Sequence, residues 1–168
     1  MLTKLRAIIA ATAITSIVVA TAIAQQDLSF VTPDGQTVSL SGMRGNVVVL
    51  LFSGTQDPQC REGLKALESL GDRFRSKSVK VYWVSVNSTS EVTNDQLKNP
   101  CGAASVQVLR DINQAAFKRF SGKRAQLPTI VVLDRQGNPF GQPRGGFNPS
   151  SDFVNDLAAT IDNLLQRQ

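Results

Sequence analysis

A chain of 168 residues that is 42% apolar can bury one sizeable core and is too short for two large ones. Its 18 basic and 13 acidic residues are spread along the chain, apart from short pairs such as Lys123-Arg124, so the mild positive charge reads as a solvated surface and not as a nucleic-acid site. Histidine is absent, which excludes Ser-His-Asp and Cys-His chemistry as usually built and weakens any copper or zinc site; two cysteines make no thiolate cage unaided, and no metal or cofactor is expected.

The first residues, "MLTKLRAIIAATAITSIVVATAIAQ", place Lys4 and Arg6 before an uncharged apolar run from Ala7 to Ala24 that ends in Ala22-Ile23-Ala24. This is the pattern of a secretory signal peptide cut after Ala24. An uncleaved anchor is the alternative, disfavoured by the many Ala and Thr residues of the run. Residues 1–24 are thus read as the signal and 25–168 as one domain, periplasmic or otherwise extracytoplasmic. Loss of Lys4 and Arg6 takes the formal charge from +5 to about +3. Export also changes the meaning of the cysteines, because two in one exported domain tend to pair.

Next, Pro33-Asp34-Gly35 separates two short strand-like stretches, Leu28 to Val31 and Thr37 to Leu40, and predicts a hairpin. Asn46 to Phe52 is an unbroken apolar run, as expected of a strand buried on both faces at the centre of a sheet. Cys60, Leu64, Leu67, Leu70 and Phe74 then recur at helical spacing. Residues 79–86 form the next predicted strand, with Trp83 in the core. Residues 88–105 are a polar insert, a loop or short helix. "VQVLRD" predicts a short strand, "NQAAFKRF" a short helix stopped near Gly122, and residues 129–134 a strand. "RQGN" turns the chain into the Gly- and Pro-rich "PFGQPRGGF", an edge strand. An amphipathic helix carrying Phe153, Val154, Leu157, Ala158, Ile161, Leu164 and Leu165 closes the chain, with Ser150 or Ser151 as N-cap. A strand-helix-strand unit implies a parallel crossover and the last two strands an antiparallel pair. The expected fold is α/β: a mixed sheet with helices on both faces, an N-terminal hairpin, and an insert before the third core strand.

In that order, "VSLSGMRGNVVVLLFSGTQDPQC", "VLRDINQAAFKRF" and "QLPTIVVLDRQGNP" resemble segments of the thioredoxin-like superfamily. More narrowly they are similar to the exported TlpA-type thiol-disulfide oxidoreductases and the redoxin (AhpC/TSA-like) group near the peroxiredoxins. The resemblance spans nearly all of residues 25–168. It implies a thioredoxin-like fold, an activity in envelope redox homeostasis, and a protein thiol or disulfide as partner. It implies no nucleic acid and no membrane span once the signal is removed, and leaves the oligomeric state open. That family's redox motif holds two cysteines with two residues between them. Counted from Phe52, the first falls on Asp57 and the second on Cys60, so the motif is incomplete and reads Asp57-Pro58-Gln59-Cys60. Leu127-Pro128 falls on the family's cis-proline pair, a candidate substrate-binding loop. The peroxiredoxin Thr-x-x-Cys pattern is not met, because counting from Thr55 puts Pro58 where the cysteine belongs.

Asp57 before Pro58 is a good helix start: the carboxylate accepts first-turn N–H groups as N-cap, and Pro58 suits the first helical position. As a general base beside Cys60, Asp57 would oppose thiolate formation by repulsion. Cys60 has three readings: a buried inert thiol, a partner of Cys101, or a reactive monothiol. Two functions follow. In one, the chain is an exported thiol-disulfide oxidoreductase in which Cys60 and Cys101 form a displaced catalytic pair. In the other, it is a catalytically inactive thioredoxin-fold binding or assembly module, with a structural Cys60–Cys101 bridge or inert thiols.

Overall fold

A computed structural model describes residues 27–102, 106–122, 126–146 and 150–167, with Ser151 by its backbone alone. The predicted signal, residues 1–24, lies outside the described residues. Among the described residues no helix is long and apolar enough to cross a membrane.

One seven-stranded mixed sheet organises the molecule, in the order β2-β1-β5-β4-β3-β6-β7. β1 (Ser29–Val31) and β2 (Thr37–Ser39) form the predicted antiparallel hairpin. Its turn closes with Gly35 at φ 83, a backbone geometry that glycine adopts without a Cβ clash. β1 also pairs antiparallel with β5 (Gln107–Arg110), which brings the hairpin into the main sheet. β3 (Val47–Ser53) is buried at every residue. It lies between β4 (Val79–Ser85), with which it is parallel, and β6 (Thr129–Leu133), with which it is antiparallel. That central place, covered on both faces, explains its unbroken apolar run. β5 runs parallel to β4, so β3, β4 and β5 all end on the same edge of the sheet.

Side chains alternate between the faces. Val47, Val49 and Leu51 point into a cluster with α1 (Cys60–Arg73) and α4 (Ser151–Gln166), whereas Val48, Leu50 and Phe52 meet α3 (Ala115–Ser121) on the opposite face. α1 buries Cys60, Leu64, Leu67 and Leu70 as its spacing predicts, and Phe74, just beyond its end, is buried too. Trp83 is fully buried among these residues, as the sequence implies. Ser150 caps α4 by accepting the Phe153 N–H. Gly122 ends α3 at φ 64, where a side chain would be strained.

Two boundaries differ from expectation. The helix predicted at "NQAAFKRF" begins only at Ala115, because Asn113 and Gln114 are left-handed (φ 56 each). The buried Asp111 carboxylate takes the Ala116 and Phe117 N–H groups at 3.0 and 2.7 Å, so capping comes from before that turn. The predicted edge strand shrinks to β7 (Arg144–Gly145) and one bridge between Leu133 and Pro139. Pro139 and Pro143 have no N–H to donate to a ladder. The insert after β4 contains one helical turn, α2 (Asn94–Leu97), with a capping box between Thr93 and Gln96.

Candidate functional site

At the carboxyl end of β3 the chain passes through Gly54 and a turn into α1. Asp57 organises this turn. Its Oδ1 accepts the Gln59 N–H at 2.9 Å, its Oδ2 accepts the Ser53 hydroxyl at 3.2 Å, and its carbonyl accepts the Cys60 N–H at 3.0 Å. The expectation that Asp57 is the N-cap of α1 is corrected here. Gln59 occupies the cap position, without a side-chain cap, and the helix proper begins at Cys60. Asp57 spends its carboxylate on the lead-in turn instead, and Pro58 lies in that turn. Cys60 therefore stands in the first turn of α1, where N–H groups lack intrahelical partners and the helix dipole favours negative charge.

Cys60 and Cys101 are joined in a disulfide, with Cα atoms 5.9 Å apart and a sequence separation of 41. The two sulfurs differ in setting. Cys60 is 3% exposed and packs in the apolar cluster under α1. Cys101 is half-buried at the end of the insert. Its backbone is left-handed (φ 57, ψ 18), which for a residue with a Cβ costs about 1–2 kcal/mol. Arg61, the neighbour of Cys60, donates from Nε to the Cys101 carbonyl at 3.3 Å. The insert is seated by buried Val92, Leu97 and Pro100.

The surrounding strand ends are polar but dry. Ser53 and Ser85 are buried at the ends of β3 and β4, and Thr129 is buried at the start of β6 opposite Phe52. Asn87 links two of these ends: its N–H goes to the Ser85 hydroxyl, and its side-chain oxygen accepts the Thr55 N–H at 3.0 Å. The Leu127-Pro128 bond is cis, and the pair immediately precedes Thr129, at the edge of the sheet where α1 begins. Leu127 is 42% exposed. Asp57, Cys60, Cys101, Leu127 and Pro128 are thus placed at or beside the carboxyl ends of the parallel strands, where ligands of open α/β sheets bind. Among the described residues no group of three or more cysteine, aspartate or glutamate side chains forms a metal-binding set.

Two residues of this region escape a reading by motif. Arg61 is an ordinary surface residue of a helix by its spacing. Arg110 ends the apolar stretch of β5 and is 2% exposed; a charge closing a buried strand is the signal that could have marked it.

The sequence matches the AhpC/TSA family model over residues 21–138. No curated protein matches it. Among solved structures it is similar to a Chlorobium tepidum protein assigned as the thiol:disulfide interchange protein DsbE (23% identity, 83% of this chain and 93% of that one, TM-score 0.67). It is also similar to the exposed lipoprotein thioredoxin Etrx1 of Streptococcus pneumoniae strain TIGR4 (20% identity, 80% and 99%, TM-score 0.64). A third is DsbF of MTB, solved in mixed oxidized and reduced forms (18% identity, 81% and 93%, TM-score 0.63). These likenesses establish a thioredoxin-like fold, and with the family match they make the chain a member of the AhpC/TSA family of thioredoxin-like redoxins.

Proposed function

We propose that the chain is an extracytoplasmic thiol-disulfide exchange protein that acts on protein thiols through Cys60 and Cys101. The observation that carries this reading is the asymmetry of the bridge. One cysteine is buried in the first turn of a helix, and the other is a half-buried, left-handed residue of an insert, at the strand ends. A bridge that only stiffened the fold would not need an accessible, conformationally strained half, and such bridges are the labile ones.

The exchange follows from this geometry. A substrate thiolate attacks Sγ of Cys101, the more exposed cysteine of the pair. The Cys60–Cys101 bond breaks and Cys60 leaves as a thiolate, which the first turn of α1 favours and its apolar burial opposes. A second substrate thiolate then attacks the substrate sulfur of the mixed disulfide and expels the Cys101 thiolate. The substrate leaves oxidised by two electrons, and the Cys60–Cys101 pair is reduced by the same two. The reverse sequence reduces a substrate disulfide. Asp57 holds the turn, accepting the Gln59 N–H and the Ser53 hydroxyl, and the exchange needs no proton transfer by it. The AhpC/TSA match and the names of the structural relatives support a thiol chemistry, and the predicted signal supports an oxidising compartment.

The test is catalysis of thiol-disulfide exchange on a reduced or scrambled protein substrate, by wild type and by Cys60→Ser and Cys101→Ser. Activity in wild type and its loss in both variants is expected. Equal turnover by wild type and Cys101→Ser would remove the pair from the mechanism, and no turnover by wild type would leave the bridge a structural one.

A further inference from the structure

Arg110, the last residue of β5, is a charged side chain at 2% exposure. It makes no ion pair among the described residues. Its guanidinium instead donates from Nη1 to the Asn87 carbonyl at 2.8 Å, and from Nη2 to the Val92 carbonyl at 2.6 Å and the Asn94 side-chain oxygen at 3.2 Å. All three acceptors lie in the segment that leaves β4 and becomes the insert. Asn87 is its root and also holds Thr55 of the turn before α1. Val92 and Asn94 bracket the start of α2, which leads through Leu97 and Pro100 to Cys101. Among its described residues the insert carries no strand of the sheet, so this side chain does for it what a ladder would do for a strand.

We propose that Arg110 is a positioning residue for the Cys60–Cys101 pair: it keeps the insert docked when the bridge is open, so that the Cys101 thiol stays within reach of Cys60. The consequence is a redox property and not only a stability. When the bridge is open, its tendency to reform is the effective concentration of one thiol at the other, which falls with the fraction of time the insert is docked. A guanidinium that gathers three acceptors from one segment raises that fraction. The inference deepens the exchange reading, yet the equilibrium it concerns belongs to the bridge whether or not a protein substrate uses it.

The experiment is equilibration of the purified chain in glutathione redox buffers, with the bridged fraction counted by thiol alkylation. Arg110→Gln is neutral and shorter and cannot span the three acceptors. It is expected to shift the equilibrium toward the dithiol by about tenfold, which corresponds to ~30 mV. Arg110→Lys keeps the charge and part of the donor set, and is expected to shift it less. Leu133→Ala, in the cluster on the opposite face of the sheet from Cys60, Val92 and Leu97, is expected to weaken both redox forms alike and stay within twofold of wild type. An Arg110→Gln equilibrium within twofold of wild type overturns the proposal and leaves Arg110 a plain stabiliser. Should Arg110→Gln not fold, Asn94→Ala removes one acceptor alone; a shift in the same direction supports the proposal, and an unmoved equilibrium overturns it. Failure of the exchange reading shows elsewhere, as wild type inert toward protein substrates with its glutathione equilibrium still sensitive to Arg110.

Discussion

Arg61 donates from Nε to the carbonyl of Cys101 at 3.3 Å, so helix α1 grips the insert at two adjacent residues: Cys60 covalently and Arg61 by a hydrogen bond. The guanidinium is exposed, and its bond contributes about 0.5–1.5 kcal/mol to holding the insert. Its charge matters more to the chemistry, because an incoming thiolate and a departing one are both anions. Arg61→Gln is expected to slow reduction of the bridge by glutathione by about threefold to tenfold at low ionic strength, with the difference shrinking as salt is added. Stopped-flow reduction at two salt concentrations measures this. A salt-independent difference would mean that Arg61 acts through its hydrogen bond alone.

The bridge also has a thermodynamic signature. Closing 41 positions of chain is worth about 4 kcal/mol in the chain-entropy account. Relief of the left-handed Cys101 backbone on reduction returns about 1–2 kcal/mol of that. Reduction is therefore expected to lower stability by about 2–3 kcal/mol, less than a relaxed bridge of this span would give. Urea midpoints of the oxidised and reduced chain give the difference directly. A loss at the full chain-entropy value would show that the Cys101 backbone stays left-handed when the bridge opens.

Much of the fold was legible because burial writes itself into periodicity. Val47 to Ser53 is apolar at nearly every position because both faces of β3 are covered, and the Cys60–Phe74 spacing maps onto the buried face of α1. The site was legible only in part. Asp57 and Cys60 are near in sequence, so their turn could be placed. Whether Cys101 reaches Cys60 depends on the path of an insert fixed by Thr93 and Gln96, by buried Leu97, and by Arg110 reaching across from another strand. The Thr93–Gln96 capping box is a local pattern, but neither the seating of Leu97 nor the reach of Arg110 has one. The starts of α1 and α3 have no local pattern either: Asp57 gives its carboxylate to the turn before α1, and left-handed Asn113 and Gln114 delay α3, whose first turn Asp111 caps from beyond them.

Asp111 also predicts a pH dependence. Burial pushes its carboxyl above the usual carboxylate range, although the Phe117, Ala116 and Ala115 N–H groups and Lys118 pull the other way. With its folded pKa above its unfolded one, the folded state holds this proton more tightly. Its contribution to stability is greatest below the unfolded value of about 3.9 and declines as pH rises from there through the folded pKa. Asp111→Asn removes that slope. It also turns an amide toward an N–H donor and is expected to cost about 1–3 kcal/mol at neutral pH. Denaturation of both proteins between acid and neutral pH tests this: the slope assigned to Asp111 must disappear in the variant.

Leu127 and Ile112 are the exposed large apolar side chains among the described residues, each at 42%. Leu127 precedes β6, which is antiparallel to β3, and Ile112 follows β5, which runs the same way as β3. Both therefore lie on the edge of the sheet where α1 begins and Cys60 is bonded to Cys101. On the exchange reading, a protein substrate at the bridge is expected to extend along this edge to Leu127, whereas a small thiol reaching Cys101 is not. Partial burial of one leucine is worth on the order of 1 kcal/mol. Leu127→Ser is therefore expected to lower kcat/KM for a protein substrate by about fivefold, with reduction by glutathione unchanged. Equal losses with both reductants would assign the effect to the shape of the 126–129 segment and not to docking, and no loss with either would place the protein substrate elsewhere.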